Sequence, residues 1–405
     1  MNSRHASVIV LALPFLLGPY ECAIAQDRVR IVLGSPQNEC RVVNTYPEYW
    51  VDGKPFFESI ANFNYYRLPR DRWAEELLRL KSMGINTLDI LPMWAWHEPE
   101  EGALDFGGRT NPLRDLNYLL RLAEQMGFKV ALRPGPYDTN DWRNGGYPDW
   151  LLRRPEYHMT EQTILEGRYP RLSALQYEKQ EEAATGWLQN ETHLRYARKW
   201  YHDVLGLVSP LLADKGGPII GIQLDDDVAI GIANYSGPNF WKYMGLLRQY
   251  AKEATHGSPI PYFIDAANMR VNAAANDATP EPLWNMGQDY QIHYQGGYST
   301  VFEAAKNKFL AETVKTQPLF IGAHFEFQAG WRIHSKDTYA SPTDPSNTLM
   351  ATRVMFQNGL KGLGYWPMHD TLNPAGFDVQ WANRHYGFES AVNYAGEETG
   401  RAVPR

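Results

Sequence analysis

The sequence predicts a (β/α)8 barrel, a TIM barrel forming one catalytic domain, and three observations lead there. Apolar strand-like runs alternate with amphipathic helix-like segments along most of the chain. The runs number eight, as a closed barrel requires. Neither G-x-G-x-x-G nor G-x-x-x-x-G-K-[ST] occurs, so the dinucleotide and P-loop folds lack their signature.

In chain order, Phe56 to Tyr66 reads as the first strand and Asp71 to Met83 as an amphipathic helix. Asn86 to Leu91 is the second strand. Arg114 to Met126 is helical, with Leu116, Leu119, Leu120 and Ala123 on one face, and Lys129 to Leu132 is the third strand. A helix around Leu194 to Leu212 leads to strand Ile219 to Leu224, and a helix from Asn239 to Ala254 to strand Tyr262 to Ile264. The sixth strand is Trp284 to Met286. A helix from Val301 to Val314 precedes strand Leu319 to Phe327, and one from Asn347 to Gln357 precedes the last strand, Leu360 to Tyr365. These elements define a domain over residues 56–400, preceded by a polar lead-in over 26–55. The polar stretch Glu156 to Gln189 reads as a long loop over the barrel mouth.

With 405 residues, 44% of them hydrophobic and 13% aromatic, the chain can bury a large core, which argues against disorder. Its 13 Trp and 24 Tyr are many for this length; most are expected in the core, and exposed aromatics suit stacking against sugar rings. A formal charge of −7 and the lack of a Lys/Arg patch argue against nucleic acid or an anionic membrane as partner. The first 25 residues read as a signal peptide: Arg4 and His5, an apolar stretch from Val8 to Gly18, then Ala23-Ile24-Ala25 before the cleavage point. That stretch is too short to span a bilayer. A secreted or periplasmic product is expected, keeping only Cys40 and hence no internal disulfide.

Barrel enzymes place their chemistry where strands end at the C-terminal face. Strand two ends in Trp94-Ala-Trp96-His97-Glu98, strand three in Tyr137-Asp138-Thr-Asn140-Asp141-Trp142, strand four in Asp225-Asp226-Asp227, strand five near Asp265, and strand seven in His324-Phe-Glu326. Carboxylates interleaved with Trp and Tyr at one rim suit a glycosidase: two acids to cleave, others to hold hydroxyls, aromatics to stack. A metal site at the three consecutive aspartates is disfavoured, because adjacent strand-end residues point in different directions and a hard cation wants spaced oxygens. No metal and no cofactor is therefore expected. A sugar-binding protein with impaired turnover stays open. Trp94, Trp96, His97 and Glu98 are expected to brace the strand-two rim, and Arg133 to make a buried ion pair.

The motifs Tyr65-Tyr66-Arg-Leu-Pro69, Trp96-His-Glu-Pro-Glu-Glu-Gly102, Leu132-Arg-Pro-Gly-Pro-Tyr137, Gly145-Gly-Tyr-Pro148 and Gly216-Gly-Pro-Ile-Ile220 followed by Gln223 resemble the family 35 glycoside hydrolases, the β-galactosidase family. The resemblance spans roughly residues 50 to 400 and implies a retaining (β/α)8 exo-glycosidase acting on a terminal β-linked sugar. It implies Asp227 as the acid/base, Asp226 at the position of the Asn that reads the sugar's 2-position, and Glu326, four residues before Gly330-Trp331, as the nucleophile. Asp225, Asp226, Asp141, Asn140, Tyr66, Trp331 and Tyr365 are the expected substrate contacts.

The chain departs from the family within the pocket. Asp141 replaces a sugar-binding Glu, Leu91 stands where a Tyr is expected, and His369-Asp370-Thr371-Leu372 replaces Gly-Gly-Thr-Asn. Asp227 reaches about 1.5 Å less than a Glu, where retaining sites want carboxyls about 5–5.5 Å apart and inverting ones about 6.5–9.5 Å. An ionised Asp226 only accepts hydrogen bonds, so it would pair with a 2-ammonium group, as in the exo-β-glucosaminidases.

Overall fold

A computed structural model describes residues 29–43, 46–138, 142–167, 190–226, 238–265, 284–287, 323–327, 352–353, 356–357, 362–377, 384–387 and 390–399. Eight parallel strands form the barrel sheet: β5 (Glu58–Asn62), β6 (Thr87–Ile90), β7 (Lys129–Leu132), β8 (Ile219–Gln223), β9 (Tyr262–Asp265), β10 (Trp284–Gly287), β11 (Ala323–Phe327) and β12 (Gly362–Tyr365). They are hydrogen-bonded in the order β10-β9-β8-β7-β6-β5-β12-β11. The eighth strand returns to the first, with Gly362 opposite Glu58 and Tyr365 opposite Ala61. At the other end β10 lies against β11, which curls the sheet onto itself. This is the (β/α)8 order.

Because parallel barrel strands are covered on both faces, they read as apolar runs. Every residue of β6, β8 and β12 is buried. The connecting helices bury the expected stripes. Helix α1 (Trp73–Ser82) buries Trp73, Leu77 and Leu80. Helix α2 (Leu116–Gln125) buries Leu116, Leu119, Leu120 and Ala123, and starts where the Asp115 carboxylate accepts the Tyr118 N–H at 3.0 Å. Asn190 caps α3 (Glu191–Val208) in the same way, through the His193 N–H at 2.9 Å. Helix α4 (Pro238–Ala254) packs beside α3. The expected helix over Val301 to Val314 lies outside the described residues.

The polar lead-in is corrected: it contains an antiparallel sheet of β1 (Val29–Ser35), β2 (Asn38–Val43), β3 (Tyr46–Val51) and β4 (Lys54–Pro55). Asp52 and Gly53 join β3 to β4 with φ of 52° and 73°, the left-handed pair of a tight hairpin. The alternation of Tyr49 and Val51 with Glu48 and Trp50 is the strand signal. Tyr49 and Val51 pack with Ile60, Ala131, Ile220 and Phe263, so this sheet covers the barrel interior from below. The β7–β8 register slips between Val130 and Ala131. The Tyr49 hydroxyl donates to the Ile220 carbonyl at that slip at 3.2 Å, and the Asn38 amide donates to the same oxygen.

Two smaller differences also have physical causes. Strand one ends at Asn62, because the aromatic run after it turns into a 3-10 helix, Tyr65–Arg67, whose rings are buried. The loop expected over 156–189 begins with the helix Glu161–Leu165, nucleated by a reciprocal Thr160–Thr163 capping box. Residues 168–189 lie outside the described residues.

Candidate active site

The C-terminal ends of β6, β7 and β8 converge on one cation. Arg133 follows β7 and is fully buried, and its Nη1 donates to Asp89 Oδ2 of β6 at 2.9 Å. Its Nη2 donates to Asp226 Oδ1, just past β8, at 2.5 Å. Asn62, ending β5, donates to the same Asp89 oxygen at 3.2 Å. Gln223, ending β8, donates from Nε2 to Asp226 Oδ1 at 2.9 Å and to the Asp225 carbonyl at 2.7 Å. Trp366, the residue after β12, presents its ring 5.6 Å from the guanidinium. Four strand ends are thereby tied together by hydrogen bonds, and Arg133 makes the buried ion pair expected of it.

Burial sets the protonation of this group. Asp89 is pushed up to about 6 by desolvation, with Arg133 and Asn62 opposing the shift and Asp226 adding to it. Asp138 is raised well above the usual carboxylate range, again by burial first and then by the Asp226 charge, against the pull of Arg133. Asp225 is raised by burial, while the hydrogen bond from the Tyr137 backbone opposes it.

Asp225 ends the strand with φ of 61°, in the left-handed region that an L-residue other than Asn or Asp rarely enters. Three contacts over-determine it. Its Oδ1 accepts the Tyr137 N–H at 2.7 Å, its own N–H donates to the Gly135 carbonyl at 3.2 Å, and Gln223 holds its carbonyl. Helix α3 props the facing segment from behind: Trp200 Nε1 and the Tyr201 hydroxyl donate to the Pro134 and Gly135 carbonyls, each at 2.6 Å. Such strain persists where packing enforces it, and here it folds the Asp226 carboxylate back over Arg133 and Gln223.

The strand-two rim is braced as expected. His97 is held near 4 by burial and is therefore neutral at pH 7. Its Nδ1 donates to the Asp105 carbonyl at 2.6 Å, which leaves Nε2 to accept from the Tyr65 hydroxyl at 2.5 Å. Glu98 accepts from Trp94 Nε1 at 2.8 Å, the Gly102 N–H at 2.8 Å and Lys199 at 3.0 Å. The neighbouring aromatics stack on one another: Trp94 and Trp200 lie parallel at 5.4 Å, and Trp142 meets Tyr66 edge-on at 4.8 Å.

The structure brings Asp225 and Asp226 to one point and places two other expected contacts close by in the barrel. Tyr66 is buried in the Tyr65–Arg67 turn beyond β5, its hydroxyl donating to Asn64 Oδ1 at 3.1 Å. Tyr365 ends β12, beside β5, and is buried. Glu326 is the fourth residue of β11. Asp227, Asn140, Asp141 and Trp331 lie outside the described residues. His369 to Leu372 fall beyond the eighth strand, and Thr371-Leu372 pairs with His385-Tyr386. Sequence reading assigned no role to Asp89 or Asp138. The available signal was an acid inside the apolar run Thr87-Leu-Asp-Ile-Leu91, and a second acid directly after Tyr137.

This geometry accords with what the chain is similar to. The profile of the glycosyl hydrolases family 35 matches residues 48–164. An exo-β-D-glucosaminidase of Thermococcus kodakarensis is 35% identical over 198 residues, covering 48% of this chain and 22% of that protein. A β-galactosidase of Felis catus is 30% identical over 218 residues, covering 54% and 27%. The chain thus spans about a quarter of the length of these relatives. A β-galactosidase crystal structure from the psychrophilic Marinomonas ef1 superposes with a TM-score of 0.53 at 13% identity, over 85% of this chain and 58% of that one, a likeness of fold. The strand order and this superposition make the fold a (β/α)8 barrel, and residues 48–164 of the chain match the glycosyl hydrolases family 35, the family to which the motifs pointed.

Proposed function

We propose that the chain is a secreted or periplasmic exo-acting β-glycosidase of the family 35 type, removing a terminal β-linked sugar from an oligo- or polysaccharide with retention of configuration. The observation that carries this reading is the placement of Asp225-Asp226 at the C-terminal end of β8, braced by Arg133, in a barrel whose residues 48–164 match family 35 and whose seventh strand contains Glu326. Asp227 follows directly in sequence.

In this reading Glu326 attacks the anomeric carbon, forming a glycosyl-enzyme as Asp227 protonates the departing oxygen. Asp227 then takes a proton from water, which releases the sugar. Glu326→Ala should abolish turnover of every aryl β-glycoside. Asp227→Ala should spare activated substrates such as glycosyl fluorides, which need little acid assistance, and hurt those with poor leaving groups. Equal loss on both from the second change would refute the assignment. A wild-type chain that binds a glycosyl fluoride without turning it over would favour a sugar-binding protein instead.

Asp226 favours a second reading, in which the terminal sugar carries a 2-amino group. Asp226 pairs with Arg133, and an ionised carboxylate only accepts hydrogen bonds and attracts a cation, whereas the family Asn also donates. The similarity to an exo-β-D-glucosaminidase supports the same reading. Aryl β-D-galactoside and β-D-glucosaminide tested side by side decide it; hydrolysis of the galactoside alone would remove the amino-sugar specificity.

A further inference from the structure

The turn after β5 buries a cation that the roles assigned so far leave unused. Arg67 is 4% exposed, and three aromatic rings lie within cation–π range of its guanidinium: Tyr386 at 3.8 Å, Tyr66 at 5.3 Å and Trp142 at 5.6 Å. Its Nε donates to Asn373 Oδ1 at 2.7 Å. These partners come from three parts of the chain. Tyr66 is its neighbour in the turn, Trp142 lies on the segment after β7, and Asn373 and Tyr386 belong to the segment after β12.

That last segment folds back as a small ribbon. Thr371 and Leu372 pair with Tyr386 and His385, and the Asn373 N–H donates to the Arg384 carbonyl at 2.8 Å. Residues opposite each other in such a pair share a face, so the buried Thr371 and Tyr386 form the inner one, and the exposed Leu372 and His385 the outer. The inner face rests on Arg67. A second fastening lies at Phe377, whose ring stands 4.7 Å from Trp142 and 5.5 Å from Trp96, and whose carbonyl accepts the Arg143 N–H at 3.3 Å. Trp142 is thereby wedged among Tyr66, Arg67 and Phe377, fully buried.

Trp142 directly follows Asn140-Asp141 in sequence. Fixing its backbone limits where Asp141 can stand, because one trans peptide link holds successive Cα atoms about 3.8 Å apart. We propose that Arg67 is a positioning residue for sugar binding: through Asn373 and Tyr386 it locks the ribbon after β12 against Tyr66 and Trp142, and so sets the expected sugar contacts Tyr66, Asn140 and Asp141 for the terminal sugar. The proposal rests on the reading of those three residues as sugar contacts. None of the contacts described for Arg67 involves β11, which contains Glu326, or β8, which Asp227 follows in sequence. Its loss should therefore be felt in how well the sugar is held rather than in how fast the glycosidic bond breaks. Lysine cannot replace it, since an ammonium has neither the planar face that lies on a ring nor an Nε donor set back along the side chain.

Steady-state kinetics of the full chain on aryl β-glycosides, with Arg67→Lys and Asn373→Leu beside wild type, test it. On a substrate that wild type hydrolyses, Arg67→Lys should raise KM about tenfold with kcat within about twofold. Asn373→Leu, which keeps the volume and removes the acceptor, should raise KM about threefold. A merely structural role would lower the folded fraction, which reduces the apparent kcat and leaves KM alone. An unchanged KM in Arg67→Lys, with kcat kept or lowered, would therefore overturn the proposal while leaving the glycosidase reading intact. A raised KM in Arg67→Lys with a wild-type KM in Asn373→Leu would overturn the route through the ribbon. The KM of Asn373→Leu decides alone if Arg67→Lys fails to fold. A wild-type chain that turns over no aryl β-glycoside would overturn the glycosidase reading itself, and the positioning role with it.

Discussion

At the C-terminal end of the barrel Asp89 and Asp226 gather around Arg133, with Asn62 and Gln223 donating to them, whereas at the opposite end Glu58 is buried with neither carboxyl oxygen near a donor among the described residues. Both regions hide acids from water. One supplies a cation and amides to keep some of them ionised, and the other supplies nothing, so that burial alone pushes Glu58 well above its ordinary range. The upper region retains charge where a substrate is expected, while the lower one spends its polar groups on finishing strand ends, as Asn38 and Tyr49 do at Ile220. This is the usual division of a (β/α)8 barrel between a chemical face and a stabilising one.

The contrast is broken most severely at Arg133. Arg133→Met removes the cation while leaving Asp89 and Asp226 buried side by side, and the cost of orphaning buried charge is about 3–5 kcal/mol. Urea unfolding at neutral pH should show a loss of that size, and it should shrink below the Asp89 value of about 6, where that acid is protonated in either protein. A loss under about 1 kcal/mol would mean that the upper cluster is as indifferent to its cation as Glu58 is.

Asp225 offers a second, smaller break. Asp225→Ala keeps a Cβ at φ of 61° and loses the acceptor for the Tyr137 N–H, for about 1–3 kcal/mol. Asp225→Asn keeps both the acceptor and the tolerance for that conformation and should sit within about 1 kcal/mol of wild type. Melting temperatures of the two variants separate backbone strain from charge; equal losses would show that the carboxylate itself is what the turn needs.

At the lower end Glu58→Gln is expected to stabilise. A carboxyl whose folded value is raised contributes stability that is complete below its unfolded value and is lost as pH climbs through the folded one. Wild type should therefore weaken relative to Glu58→Gln between mildly acidic and alkaline pH, with the variant ahead by about 1–2 kcal/mol at neutral pH. Parallel pH profiles of melting temperature would show that Glu58 has a partner in solution.

The same contrast explains what could be read from sequence. Strands buried on both faces appear as continuous apolar runs, so Lys129–Leu132 was legible to the residue and Ile219–Gln223 to within one. The sheet over Val29–Pro55 was not, because its signals, the alternation of Tyr49 and Val51 with Glu48 and Trp50 and the Asp52-Gly53 turn, are short and sit in a stretch that otherwise reads as polar. In the site, Asp225 and Asp226 announced themselves by being adjacent. Asp89 did not, since the cation that gives it meaning lies 44 residues away and the acid sharing that cation another 93 beyond. Strand ends are local properties, whereas a charge cluster exists only once the barrel has brought its strand ends together.

The mildest test concerns the covering sheet. Tyr49→Phe removes one hydrogen bond to the Ile220 carbonyl and keeps the ring packed against Ile60 and Phe263. Because the Asn38 amide still donates to that oxygen, the carbonyl is not orphaned, and the cost should be about 0.5–1 kcal/mol. Asn38→Ala alone should cost a similar amount, since Tyr49 then remains as donor. The double variant leaves a buried carbonyl at a register slip with no donor from the covering sheet, and should cost more than the sum of the two by about 1 kcal/mol. Urea unfolding of the cycle measures this coupling. Simple additivity would mean that the two donors act independently and that the lower sheet is fastened by its apolar contacts alone.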